Sequence, residues 1–303
     1  MRRRGVRALG LPRIVVRSVG VWRGLTSVQR SHWAAPGREL TSTVVSMSEP
    51  TFDDRRTSFG EAASAYAEHR PGYPDDAVSW ALGAARGAVT RVADVGAGTG
   101  ALTATLVARG LEVHAVEPDA SMLLELERRV PAAHRHRSAA ESMPLDDACV
   151  DAVLVAQAWH WLNHAVAAEE FARVVRPGGG VGLLWNVRLV DEDWMREVDA
   201  LIGGESSMRA AVRKEAPDEA TPIVLGLRWS APERAEFRHN VTMSVDSLVR
   251  LVDTYSYVRL SPDSAEVLDA VHAIAQAHAA SIGRDTFPLS YVAVVNRATR
   301  SGT

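Results

Sequence analysis

Cysteine occurs once in this 303-residue chain, at Cys149, and lysine once, at Lys214. A single thiol excludes a disulfide scaffold and any zinc centre assembled from several thiolates. No apolar run approaches the ~20 residues that cross a bilayer, so no membrane span is expected. No repeat with a period of about 20–50 residues is visible, which sets aside solenoids and propellers. What is present has the balance of a folded protein, 47% hydrophobic and 23% charged, not of a collagenous, low-complexity or wholly disordered chain. The length suits one large domain or two small ones.

The net charge of -3 conceals an asymmetry. Residues 1–46 hold nine arginines and one acid, Glu39, so they sum to +8 and the remainder to -11. A folded part that acidic is a poor partner for a phosphate backbone, and nucleic acid is not an expected ligand. The lysine-poor, arginine-rich usage is read as coding bias. Residues 1–46 are expected to stand outside the fold. Their Arg- and Ser-rich composition suits a transit peptide, a disordered tail, or translation from a start codon placed too early, with Met47 as the alternative start. The domain is then expected over 47–303, with a cofactor-binding core at about 90–186 and substrate-side and C-terminal strands at about 187–298.

Local patterns give the order of elements. Ala62, Ala65, Tyr66 and His69 share helical spacing in Phe59 to His69, and Pro71 ends that helix. Asp75 or Asp76 caps a second helix to about Ala85. Strands are expected at Arg91 to Val95, Leu111 to Val116, Val150 to Ala156 and Val181 to Trp185. Helices fall between them at Ala101 to Arg109, Ser121 to Val130 and His164 to Val175. Continuous apolar runs suit strands buried on both faces, and strand alternating with helix argues for a doubly wound, mostly parallel α/β sheet with helical additions. Residues 203–232 look like an insertion. Ala235 to Met243 and Tyr291 to Val295 are later strands, and Ser261-Pro262 opens a helix, serine as its cap. His134-Arg135-His136-Arg137 alternates like a solvated edge strand.

The most informative stretch is Asp94-Val95-Gly96-Ala97-Gly98-Thr99-Gly100. A strand runs into glycines and then a helix, so the backbone turns sharply and a ligand can lie against it. Glu117 ends the next strand, 21 residues after Gly96, the spacing at which a carboxylate reaches the ribose hydroxyls of a nucleoside. The spacing G-x-G-x-G differs from the G-x-G-x-x-G of dinucleotide sites, and Asp94 opposes a diphosphate while favouring a cation. S-adenosyl-L-methionine carries a sulfonium and an ammonium and has no phosphate, so the electrostatics favour it. A nicotinamide-dependent oxidoreductase and a non-catalytic binding protein on the same fold are the alternatives.

These residues resemble the class I S-adenosylmethionine-dependent methyltransferases, type 11 subgroup, which includes trans-aconitate and quinone-pathway enzymes. Asp94 to Gly100 resembles their first motif and Glu117-Pro118-Asp119 their second. Ala139-Ala140-Glu141-Ser142-Met143-Pro144 is similar to the adenine-lining segment, with Ser138-Ala139 where Gly or Asp usually precedes Ala-Glu. Val155-Ala156-Gln157-Ala158-Trp159-His160-Trp161 is similar to the run after the fourth strand, and Arg173 to Gly179 to the turn before the fifth. Phe59-Gly60 to Tyr66 and Arg70-Pro71-Gly72-Tyr73-Pro74 resemble the first helix.

The resemblance implies seven strands with the last antiparallel, and cofactor across the carboxyl ends of the first, second and fourth. It implies cofactor contacts from Asp94, Gly96, Ala97, Gly98, Thr99, Gly100, Glu117, Pro118, Ala140, Glu141, Gln157 and Arg70. Gly96, Gly98 and Gly100 are expected beneath the methionine part, with Arg70 at its carboxylate or at an acidic substrate. Trp159, Trp161 and Tyr66 are the pocket candidates, and His160 is the candidate base. His160 and His164 lack a third ligand, so no metal site is expected. The reading is a cytoplasmic methyltransferase acting on a small-molecule acceptor.

Overall fold

Strands that are apolar along their whole length need cover on both faces, and the central strands of this chain have it. The computed structural model describes residues 71–202, 223–259 and 261–302. The extension expected over 1–46, the helix expected over Phe59 to His69 with Tyr66, the candidate Arg70, and most of the 203–232 segment lie outside the described residues.

Seven strands form one sheet: β1 (Arg91–Val95), β2 (Glu112–Val116), β3 (His134–His136), β4 (Val150–Ala156), β5 (Val175–Arg188), β6 (Glu233–Ser244) and β7 (Thr286–Thr299). Their order is β3-β2-β1-β4-β5-β7-β6. The first five are parallel; β7 runs antiparallel to both β5 and β6. The helices are α1 (Asp75–Leu82), α2 (Ala101–Ala108), α3 (Ala120–Arg129), α4 (His164–Val174), α5 (Asp193–Leu201), α6 (Val245–Asp253), α7 (Ser256–Arg259) and α8 (Ser264–Ile282).

Period-2 alternation distributes β4 between two cores. Ala152 and Leu154 join α1 and α2 through Ala77, Val78, Ala81, Leu102 and Leu106. Val153 and Val155 join α4 through Ala167, Phe171 and Ala172. A third core gathers α5, α6 and α8 around Met243, Phe287 and Leu289 of β6 and β7. α1 lies directly on the sheet: a Cβ at Gly182 of β5 would stand 2.6 Å from Leu154 Cδ2 and 2.9 Å from Ala81 Cβ. His134 to His136 is the edge strand its alternation suggests.

Three local expectations are corrected. β5 starts at Val175, not Val181, because Val150 pairs with Val175 before the register shifts to Ala152 with Gly180. Pro177 to Gly179 is therefore an irregularity inside the strand, in keeping with the missing N–H of proline. The helix after Ser261-Pro262 starts at Ser264 with Asp263 at its N-cap. Ser261 Oγ instead accepts from Asp263 N at 3.3 Å, one step too early to cap it. Helices α5 and α6 fill a region where no helix is expected from sequence; both are amphipathic, burying Met195 and Val198, and Leu248, Leu251 and Val252. Among the described residues no helix is long and apolar enough to cross a membrane.

Candidate functional site

Parallel register sets the carboxyl ends of three strands side by side: Val95 of β1 pairs with Val116 of β2 and Val155 of β4. Strand order runs outward from β1 on one side and from β4 on the other. That reversal is where open α/β sheets form a ligand crevice. The loops leaving these ends carry most of the expected site residues.

The β1–α2 loop is folded back onto β2. Gly96 N and Ala97 N donate to Val116 O at 2.9 and 3.1 Å, and Gly100 N donates to Ala97 O at 2.9 Å. The three glycines differ in what a side chain would meet. A Cβ at Gly96 would come within 2.4 Å of Ala158 Cβ, and one at Gly100 within 2.9 Å of Leu126 Cγ. Those two are needed for packing. Gly98, at φ +55, borders open space: the nearest atom to a Cβ built there would be Met122 Sδ, at 3.8 Å.

Glu117 is 7% exposed. Its Oε2 accepts from Gly98 N and its Oε1 from Asp119 N, both at 2.9 Å. These two bonds orient the carboxylate. Pro118 O accepts from Arg137 Nε at 3.4 Å. Asp119 caps α3 by accepting from Ser121 N and Met122 N.

Asp94 lies deeper than sequence suggests, 1% exposed. Its Oδ2 accepts from Thr103 Oγ1 of α2 at 2.6 Å. Its Oδ1 is buried and meets no partner among the described residues. Burial pushes the carboxyl up to about 7; the Thr103 bond opposes that rise and the Glu117 charge adds to it. Thr99 Oγ1 and Gln157 Oε1 are likewise buried without a partner among the described residues. Three polar atoms of this kind around one crevice call for an external partner, because buried polar groups are otherwise almost always bonded.

Ala140 is buried, and Glu141 Oε1 accepts from Asn163 N, the residue that caps α4, at 2.7 Å. Glu170 and Arg173 of α4 hold the same segment: Met143 N donates to Glu170 Oε1, and Arg173 donates to Met143 O and Leu145 O. The Arg173 guanidinium in turn keeps the Glu170 carboxyl below its usual range. The adenine-lining candidate is thus a backbone strap tied to α4.

Directly after β4 stands Gln157, a non-glycine residue at φ +55. Such strain persists only where surroundings enforce it, often at functional sites. Gln157 N donates to Leu184 O, and Nε2 to Asn186 O, each at 2.9 Å. The following turn, Trp159–Trp161, is a short 3₁₀ helix. Its two tryptophans separate. Trp159 is 3% exposed and stacks on His164 at 4.5 Å inside the α4 core. Trp161 is half-buried at the rim of that core, with the half-buried His160 ring 4.8 Å away.

Sequence reading missed Asn186 and His239. Asn186 Nδ2 donates to Gly72 O at 2.8 Å and Pro71 O at 3.2 Å, and Oδ1 accepts from His239 Nε2 at 3.0 Å. An amide inside the apolar run Val181-Gly182-Leu183-Leu184-Trp185-Asn186-Val187 is the signal that could have found it, since a buried polar group needs partners. Thr103, one face of α2 away from Asp94, carried no such signal. Among the described residues no three His, Cys, Asp or Glu side chains are arranged to hold a metal ion.

Comparison with known proteins finds methyltransferases among those this chain resembles. The family profile described as a methyltransferase domain matches residues 93–182. An uncharacterized methyltransferase of Mycobacterium tuberculosis is 40% identical over 248 residues, 81% of this chain and 97% of the relative. An uncharacterized methyltransferase-like protein of Schizosaccharomyces pombe is 29% identical over 69% of this chain and 80% of its own length. A solved structure from Anaeromyxobacter dehalogenans, described as a type II methyltransferase, shares the fold with a TM-score of 0.55 at 24% identity, over 76% of this chain and 97% of that one.

Proposed function

The chain belongs to the class I, type 11 methyltransferases that use S-adenosylmethionine, and from that premise we propose that it methylates a small-molecule acceptor in the crevice above β1, β2 and β4. Membership supports this reading over the nicotinamide one, and turnover decides between it and the non-catalytic one. The observation that carries the site assignment is the Gly98–Glu117 pair: an open glycine whose N–H fixes a carboxylate at the end of the neighbouring strand.

The residues present fit the cofactor. Gly98 leaves room against the loop, and Glu117 is oriented to accept from a ribose diol. Asp94 Oδ1, Thr99 Oγ1 and Gln157 Oε1 are acceptors suited to a ligand that brings an ammonium and no phosphate. Ala97, Gly96 and Gly100 shape the loop, and Pro118, Ala140 and Glu141 supply the adenine end. Arg70 remains the candidate for a carboxylate.

The cofactor supplies a methyl group on a sulfonium. The chain's part is to hold the acceptor in line with it, about 3–3.5 Å away, and to exclude water. Trp161 offers a face at the rim, with Tyr66 as a second candidate, while Trp159 supports that rim from the core. His160 is assigned to the acceptor. It takes a proton from a hydroxyl, amine or carbon acid, or donates to a carboxylate that has none to lose.

The test is release of S-adenosylhomocysteine from a panel of small-molecule acceptors, run with the wild type and His160→Gln. A turned-over acceptor whose transfer falls in His160→Gln while cofactor affinity holds supports the assignment. Transfer only to protein or nucleic acid contradicts it.

A further inference from the structure

The carboxyl edge of the sheet holds a second set of polar contacts centred on one residue. Asn186 is 8% exposed and lies two residues before the end of β5. Its amide binds the carbonyls of Pro71 and Gly72, immediately before α1, and accepts from His239 of β6. Its carbonyl accepts from Gln157 Nε2 directly after β4. Three other pieces of chain therefore meet at Asn186, two at its side chain and one at its backbone carbonyl.

Each contact has a directional reason. An amide can face either way, and two carbonyls on one side require the NH2 end there. His239 then supplies the donor that the oxygen end needs. Burial lowers the His239 pKa, which favours the neutral ring; it also stacks on Tyr291 with ring centres 5.7 Å apart. With Nε2 committed as donor to Asn186, the amide cannot rotate without setting oxygen against two carbonyls. The Asn186 carbonyl in turn fixes the Gln157 amide, so that its Oε1 is the atom presented without a partner, on a residue already held at positive φ.

We infer that Asn186 is a positioning residue for the cofactor crevice: its side chain, oriented by His239, fastens the Pro71–Gly72 turn to β5, while its backbone carbonyl holds the Gln157 amide, so that turn and Gln157 share one frame. This rests on the assignment of Gln157 to the cofactor.

The experiment titrates full-length wild type, Asn186→Asp, His239→Leu and His239→Gln with S-adenosylhomocysteine by calorimetry, below the melting temperature of each. Asn186→Asp keeps the volume and the acceptor for His239 but sets a carboxylate against two carbonyls. It is expected to bind about tenfold or more weakly while still folded. His239→Leu, which leaves the amide oxygen unmet, is expected to weaken binding several-fold, and His239→Gln, which keeps a donor, to stay within about threefold of wild type. A purely structural role would lower melting temperature and leave these affinities equal. Asn186→Asp within about twofold of wild type, or His239→Leu and His239→Gln alike, would overturn the inference. Failure of the assignment beneath it shows differently: Gln157→Leu would then bind as tightly as wild type.

Discussion

At the scale of single residues, the glycine loop was legible as a sharp strand-to-helix turn and a candidate ligand site, but its internal division of labour was not. Spacing gives the turn and the acid after β2. Only the positions of Ala158 and Leu126, from other parts of the chain, show that Gly96 and Gly100 serve packing while Gly98 faces open space. Gly98→Asp is accordingly expected to abolish cofactor binding and change stability by about 1 kcal/mol or less, because aspartate tolerates the left-handed conformation better than most residues. Calorimetric titration beside a melting curve checks both halves. Asp94 gives a second prediction. Its folded pKa of about 7 exceeds the ordinary 3.8, so between those values the folded state holds a proton that the unfolded state has lost. Stability contributed at this site therefore falls as pH rises from about 4 to about 7. Asp94→Asn removes that dependence, and its melting temperature is expected to gain on wild type as pH rises from about 5 to about 8. The Asp151 carboxyl, held down to about 2 mainly by Arg176 and the N–H groups of Thr90 and Arg91 against the opposing effect of burial, is common to both proteins and cancels. A constant difference across that range would show that Asp94 is ionised throughout.

At the scale of elements, the buried strands were legible because both-face burial writes a continuous apolar run, as in Val150 to Ala156. What escaped was decided by partners distant in sequence. The bulge at Pro177 to Gly179 exists because Val150 pairs with Val175 before the register shifts. Asn186 reads as an anomaly until Pro71, Gly72, Gln157 and His239 surround it. Gly182 is likewise explained only by Leu154 of β4 and by α1, which presses on it through Ala81. Gly182→Val is expected to push α1 and Leu154 away from β5 and cost about 1–3 kcal/mol, the usual penalty of overpacking. Denaturant unfolding measures it; a loss below about 0.5 kcal/mol would mean that α1 yields freely.

At the scale of the whole molecule, the doubly wound, mostly parallel sheet and the family were both legible, since glycine loop, acid and strand-end motifs follow one another at fixed spacing. Domain extent is an expectation of another kind. The mycobacterial relative is matched over 97% of its length by 248 residues of this chain, so a family member is complete in about that length. Deleting residues 1–46 is expected to leave the melting temperature within about 2 °C of the full chain; a larger fall would show that the segment belongs to the fold. The central claim is that the crevice above β1, β2 and β4 takes S-adenosylmethionine through Gly98 and Glu117. Its most direct test is calorimetric titration of the full chain with S-adenosylmethionine and, in parallel, with NAD, repeated on Gly98→Asp. The account predicts micromolar binding of S-adenosylmethionine alone, lost in Gly98→Asp. Undiminished binding in that variant, or binding of NAD in its place, would contradict it.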